Sequence, residues 1–189
     1  MRVRYNSPVI LSFSIFAFCL VLVDSTILPG ITELAFTVYP EMGGHSFLAY
    51  FRLISHVIGH ANWSHLIANL TLLLLIGPVL EEKYGPLSLL LMIFITALVT
   101  GIFNVLFLST ALLGSSGIVF MMILLISFTN IQAGEIPLTF ILILLLYLAK
   151  EVFSIASDDT ISQLAHIIGG ICGSIFGFFH PHKRQEQWN

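Results

Sequence analysis

The sequence predicts an all-α, polytopic membrane protein with six transmembrane helices, folded as one domain over residues 1–189. Two observations carry this. The chain is 57% hydrophobic and only 9% charged, with a mean hydropathy of +0.99; soluble domains carry about a quarter charged residues. Its apolar residues also fall into six runs near the roughly 20 residues that a helix needs to cross a bilayer. The net charge of -3 says nothing about partners, and no basic run points to nucleic acid, so none is expected as a partner. The two cysteines, Cys19 and Cys172, sit inside apolar runs and read as buried small residues, not as a disulfide or metal knuckle.

The spans, with soft edges, are 9–28, 63–80, 86–108, 115–131, 137–156 and 161–180. The first follows Arg2 and Arg4 in the manner of a signal peptide. It lacks a small-x-small cleavage site before DSTILPG, however, and so reads as an uncleaved span. EEKYGP (81–86), NIQAGEIP (130–137) and SDDT (157–160) punctuate the later spans, and Ser109, Thr110 and the Gly114–Gly117 cluster precede the fourth. The long connection 29–62 is different. It is rich in aromatics but interrupted by Pro40, Gly43 and Gly44, so it reads as a broken, partly interfacial loop.

With six spans both termini share a side with loops 81–85 and 131–136. That side holds Arg2, Arg4, Lys83, Lys183 and Arg184, five of the seven basic residues, which predicts cytoplasmic termini.

Polar residues inside spans are costly and mark function. In SHVIGHANWSHLIANL (55–70), His56 and His60 lie four apart, as do His65 and Asn69, so each pair shares a helical face. His65 and Asn69 read either as an interhelical hydrogen-bonding pair or as site residues. His56 and His60 read as ties between the loop and the helix. A histidine metal site lacks both the HExxH glutamate and a nearby carboxylate. Gly114-Ser115-Ser116-Gly117 reads either as small-residue packing or as a nucleophile at a helix N-terminus, where unpaired N–H groups can hold an oxyanion. His166 precedes Gly169, Gly173 and Gly177, a ridge of period four, and shares its face, so it should point at a packed neighbour. Lys150, Glu151, Asp158 and Asp159 read as solvated or snorkelling ends.

Topology ties these groups together. The second, fourth and sixth spans all run inward from the outer face. At about 1.5 Å per residue, His65, Asn69, Ser116 and His166 fall within roughly 10 Å of one depth. A serine, a histidine and two more polar groups at one depth suit acyl transfer.

On these residues the chain resembles the rhomboid family of intramembrane serine proteases. Gly114-Ser115-Ser116-Gly117 matches the family's GxSG, Ala165-His166 with Gly169 its AHxxG, and His65-Leu66-Ile67-Ala68-Asn69 its HxxxN. His56, His60 and the stretch Glu81 to Gly85 also fit, so the resemblance covers residues 46–180. It implies a six-helix bundle with a Ser–His dyad facing a water-filled cavity open to the outside. By motif position Ser116 is the nucleophile, Ser115 the variable x and His166 the general base. Oxyanion stabilisation falls to the Ser116 N–H with His65 and Asn69, and Gly114, Gly117, His56, His60 and Gly169 support the site.

Phe120 stands where well-known members carry a tyrosine against the catalytic histidine, and Phe51-Arg52 replaces Trp-Arg. The resemblance further implies transmembrane protein substrates that enter laterally near the second and fifth spans. The first loop and residues 157–160 would gate the site, no metal or organic cofactor is needed, and a compact bacterial-type member would sit in the inner (plasma) membrane. Two rivals remain: a catalytically silent rhomboid-like protein that binds membrane clients, and a metal transporter or metalloprotease built on His45, His56, His60 and His65.

Overall fold

Inside a bilayer the backbone has no water to bond, so long apolar runs must close their hydrogen bonds within helices. In a computed structural model, which describes residues 5–40, 42, 46–128, 138, 141–142, 145–146 and 161–179, the described chain is helical without strands. Its helices are α1 (Pro8–Thr26), α2 (Ile31–Ala35), α3 (Phe47–Ser55), α4 (Trp63–Tyr84), α5 (Pro86–Phe107), α6 (Ser116–Phe128) and α7 (Ile161–Phe179). Three of them, α1, α4 and α5, are long and apolar enough to cross a membrane, while α6 and α7 supply the shorter apolar stretches Ser116–Ser127 and Leu164–Phe179. Most of the expected fifth span lies outside the described residues. Its described positions Leu138, Ile141, Leu142, Leu145 and Leu146 are helical and exposed.

Three sequence expectations need correction. The second span does not stop at 80: α4 runs through Glu81-Glu82-Lys83-Tyr84 to Gly85. Gly85 breaks the helix at a φ of +83°, open to glycine, and Pro86 then starts α5. Glu81, read as loop punctuation, is buried, and its carboxylate accepts the N–H groups of Val9 (2.9 Å) and Ile10 (3.0 Å). It thereby caps α1, whose own N-cap residue Ser7 makes no side-chain cap. Cys19 is exposed, not buried, because α1 packs on one face only; Cys172 is buried as expected.

The third correction concerns the connection 29–62, which is more ordered than a broken loop. Ser46 caps α3 by accepting the Ala49 N–H at 3.1 Å. The Arg52 guanidinium donates to the Leu34 carbonyl and lies 5.4 Å from the Tyr39 ring centre, and the Ser55 hydroxyl donates to the Ala35 carbonyl at 2.9 Å. Phe47, Tyr50 and Phe51 stay exposed on α3.

Contacts fix the helix directions. Ile10 lies against Gly77 and Phe18 against Trp63 (ring centres 5.5 Å apart), so α1 and α4 are antiparallel. Gly169 faces the backbone of Gly117 and Gly173 that of Met121. The contacts advance together along both chains, so α6 and α7 run parallel. A Cβ on either Gly169 or Gly173 would overlap a carbonyl oxygen of α6. Here small residues let two backbones touch, as the glycine period predicts for the first two members of the ridge; Gly177 is half-buried.

This contact generates a prediction. Gly169→Val and Gly173→Val should each lower the Tm of the detergent-solubilised protein by about 3–10 °C, the cost of overpacking spread over a domain of this size. Ile171→Val, on the exposed side of α7, should not. Equal melting of all three variants and wild type would contradict the packing.

Candidate active site

The segment that leads into α6 is stitched to its surroundings by backbone bonds. Leu112 and Val38 exchange two N–H···O bonds of 2.9 Å in an isolated antiparallel bridge. The Asn104 side-chain amide of α5 donates to the Thr110 carbonyl at 2.9 Å, and the Gly114 N–H donates to the His56 carbonyl at 2.9 Å. Gly114 has a φ of +113°, and a Cβ there would sit 2.6 Å from Cε1 of the His65 ring. Backbone conformation and the neighbouring imidazole both require glycine at this position.

The two serines that follow have different environments. Ser115 is 0% exposed, and its Oγ is 3.1 Å from His60 Nε2. His60 Nδ1 lies 3.0 Å from the Ile58 carbonyl, which can only accept. In the neutral ring Nδ1 therefore carries the proton, and Nε2 accepts the Ser115 hydroxyl. Ser116 is the first residue of α6 and is only partly buried.

On α4, the Asn62 side chain caps the helix by accepting the His65 N–H at 2.9 Å. The Asn69 side-chain amide donates back to the His65 carbonyl at 3.1 Å, and Asn69 is buried. The His65 ring meets His60 edge-on, with centres 5.1 Å apart, and covers Gly114. On α7, His166 is buried 4.4 Å, ring centre to ring centre, from Phe120 at an interplanar angle of 42°. Phe120 lies one turn after Ser116 on the same face of α6. Gly117 rests on the Ala165 carbonyl, where a Cβ would come within 3.3 Å of the oxygen. His166 is thus held beside the first turns of α6, pointing at a packed neighbour as its place in the glycine ridge predicts.

His56 reaches α5 as well: its Nε2 is 3.3 Å from the Thr100 hydroxyl and its Nδ1 3.3 Å from the Arg52 carbonyl. The ring nitrogens of His56 and His60 are thus engaged with protein groups. Among the described residues no three His, Cys, Asp or Glu side chains cluster as a metal site would require; His45 lies outside them. Sequence reading missed Asn104 and Thr100, both buried. A polar residue within an apolar span was the available signal for each. The expected gating residues 157–160 lie outside the described residues, as do Lys150 and Glu151.

Residues 48–183 match the rhomboid domain. The chain belongs to the rhomboid family. It is 27% identical over 138 residues to the rhomboid protease GlpG of Haemophilus influenzae, covering 71% of this chain and 72% of that protein. It is also similar to the rhomboid-like protein 11, chloroplastic, of Arabidopsis thaliana, at 25% identity over 147 residues. That match covers 69% of this chain but 52% of the plant protein, about half its length. Family membership and the three apolar spans make this rhomboid an integral membrane protein.

The connection ahead of α4 carries a pH dependence. Burial pushes His56 down from 6.5 to about 4, against hydrogen bonds to the Arg52 and Leu53 carbonyls. His60 is also lowered to about 4, first by burial and then by repulsion from His65, against its bond to the Ile58 carbonyl. Both folded values lie below the ordinary one, so between 6.5 and 4 the unfolded chain binds protons that the folded chain refuses. Stability from these two residues is therefore complete above about pH 6.5 and is lost as the pH falls toward 4. Melting curves from pH 7.5 to 4.5 should show Tm declining with acid, and less steeply in His60→Gln; identical slopes would contradict a neutral, buried His60.

Proposed function

We propose that this protein is an intramembrane serine endopeptidase that cleaves transmembrane segments near their extracytoplasmic ends. One observation carries the reading: of two adjacent serines, Ser115 is sealed and bonded to His60, whereas Ser116 opens α6 one turn from the Phe120 ring that packs on His166. The similarity to a protein named a rhomboid protease supports the same reading.

The chemistry follows from the groups present. Ser116 Oγ attacks the scissile carbonyl while His166 takes its proton. The tetrahedral oxyanion is held by the Ser116 N–H, which as part of the first helical turn has no partner within the helix, and by the His65 and Asn69 side chains. His166 then protonates the leaving amine, and water hydrolyses the acyl-enzyme by the same steps in reverse. Packing against Phe120 orients His166, in the place where a triad would use a carboxylate. A substrate helix hides its carbonyls in its own hydrogen bonds, so it must unwind at the cut, and small or helix-breaking residues favour that. The remaining features of the proposal are six spans, cytoplasmic termini, a bacterial inner-membrane location and lateral substrate entry near the second and fifth spans.

The test is cleavage of a single-span reporter by the purified protein in liposomes. Wild type should cut it, with Ser116→Ala and His166→Ala each lower by about 10⁴-fold or more. A fluorophosphonate should label Ser116, and a chelator should leave the rate unchanged. Cleavage that persists in Ser116→Ala overturns the dyad. A wild type that binds the reporter, does not cut it and is not labelled is a silent client-binding rhomboid, and loss of activity on chelation points to a metalloenzyme. Phe120→Ala should reduce kcat by roughly 10–100-fold, as expected when a catalytic group is misplaced; unchanged turnover would remove Phe120 from the positioning of His166.

A further inference from the structure

The variable position of the serine motif holds a residue whose hydrogen bond the proposed chemistry does not use. Ser115 is fully buried, with its Oγ 3.1 Å from His60 Nε2 and its backbone N–H directed at the same nitrogen from 3.5 Å. The distance would suit a nucleophile and its base, but no substrate can reach a serine without exposed surface. The bond holds rather than activates: His60 is fixed by its Nδ1–H donating to the Ile58 carbonyl, and its Nε2 accepts the Ser115 O–H without removing the proton.

Its location gives the bond a consequence. The residues that open a helix lack intrahelical partners for their N–H groups, and here they follow Gly114, which is in the left-handed region. Two ties hold the turn to the connection before α4: the Gly114 N–H on the His56 carbonyl, and the Ser115 hydroxyl on His60. We propose that Ser115 is a positioning residue whose hydroxyl anchors the Ser115–Ser116 peptide to neutral His60, and so aims the Ser116 side chain and N–H at the scissile carbonyl. This rests on the reading of Ser116 as the nucleophile.

The anchor requires an acceptor at His60 Nε2. Ser115→Ala removes the donor and His60→Leu the acceptor. His60→Gln keeps both functions, with its amide oxygen facing Ser115 and its NH2 facing the Ile58 carbonyl. The experiment measures the rate of fluorophosphonate labelling of Ser116, and kcat and KM on the single-span reporter, for the full-length protein in liposomes. Ser115→Ala and His60→Leu should each lower labelling and kcat roughly tenfold, the rate equivalent of one neutral hydrogen bond, with KM little changed. The double variant should be no slower than either, because both remove one bond. His60→Gln should stay within about threefold of wild type, a rescue that bulk packing alone would not give.

Wild-type labelling and turnover in Ser115→Ala, or additive losses in the double variant, overturn the positioning role while leaving the nucleophile in place. If Ser115→Ala does not fold, equal rates for His60→Gln and His60→Leu overturn it. Absence of labelling in wild type overturns the nucleophile reading itself, and the positioning role falls with it.

Discussion

Two backbones touch in this protein with no side chain between them. Gly169 and Gly173 of α7 lie on the backbone of Gly117 and Met121 of α6, and the rest of the site depends on that contact. In a bilayer, lipid tails are as apolar as leucine, so helices associate through close packing more than through the expulsion of water. Without a Cβ at the crossing, α7 approaches until His166 meets the Phe120 ring. The same glycines that bind the helices together therefore set the distance between the histidine and the first turns of α6.

A second constraint acts from the opposite side. The connection between α1 and α4 is pinned along its length: Arg52 to the Leu34 carbonyl, Ser55 to the Ala35 carbonyl, Val38 to Leu112, and His56 and His60 to Gly114 and Ser115. The bonds at Ser55, His56, His60 and Ser115 satisfy polar groups that would otherwise be buried unpaired, at a cost of about 1–3 kcal/mol each. Together the ties hold the chain ahead of Ser116 at one end of the bundle, while Glu81 performs the same service for α1 at the opposite end. The helix N-terminus that carries the serine is thus fixed by backbone and imidazole contacts, and its helix by glycine packing.

Much of this was legible in the residues themselves. The apolar runs located α1, α4, α5, α6 and α7 to within a few residues at most ends, because helix length in a bilayer is set by hydrocarbon thickness. The period of four in Gly169, Gly173 and Gly177 indicated a packed face, and His166 took its direction from it. The errors have specific causes. Glu81 looked like a loop residue because a charged cluster normally ends a span, and its two backbone partners lie more than seventy residues away. Cys19 looked buried because hydropathy does not distinguish lipid from protein. The order in 29–62 was hidden because its stabilising bonds run to carbonyls, which every residue type possesses.

The sequence by itself determined the class of protein, the positions of the long apolar helices and the set of polar residues worth weighing, since composition and period report the solvent that each segment meets. It also left Ser115 and Ser116 equivalent as chemical groups, separated only by motif position. Tertiary structure alone distinguished their environments: Ser115 is enclosed and donates to His60, and Ser116 stands at the head of α6 with a partly open face. The physical reason is that burial and hydrogen-bond direction depend on a partner brought in from fifty-five residues away, and no local pattern encodes that partner's arrival.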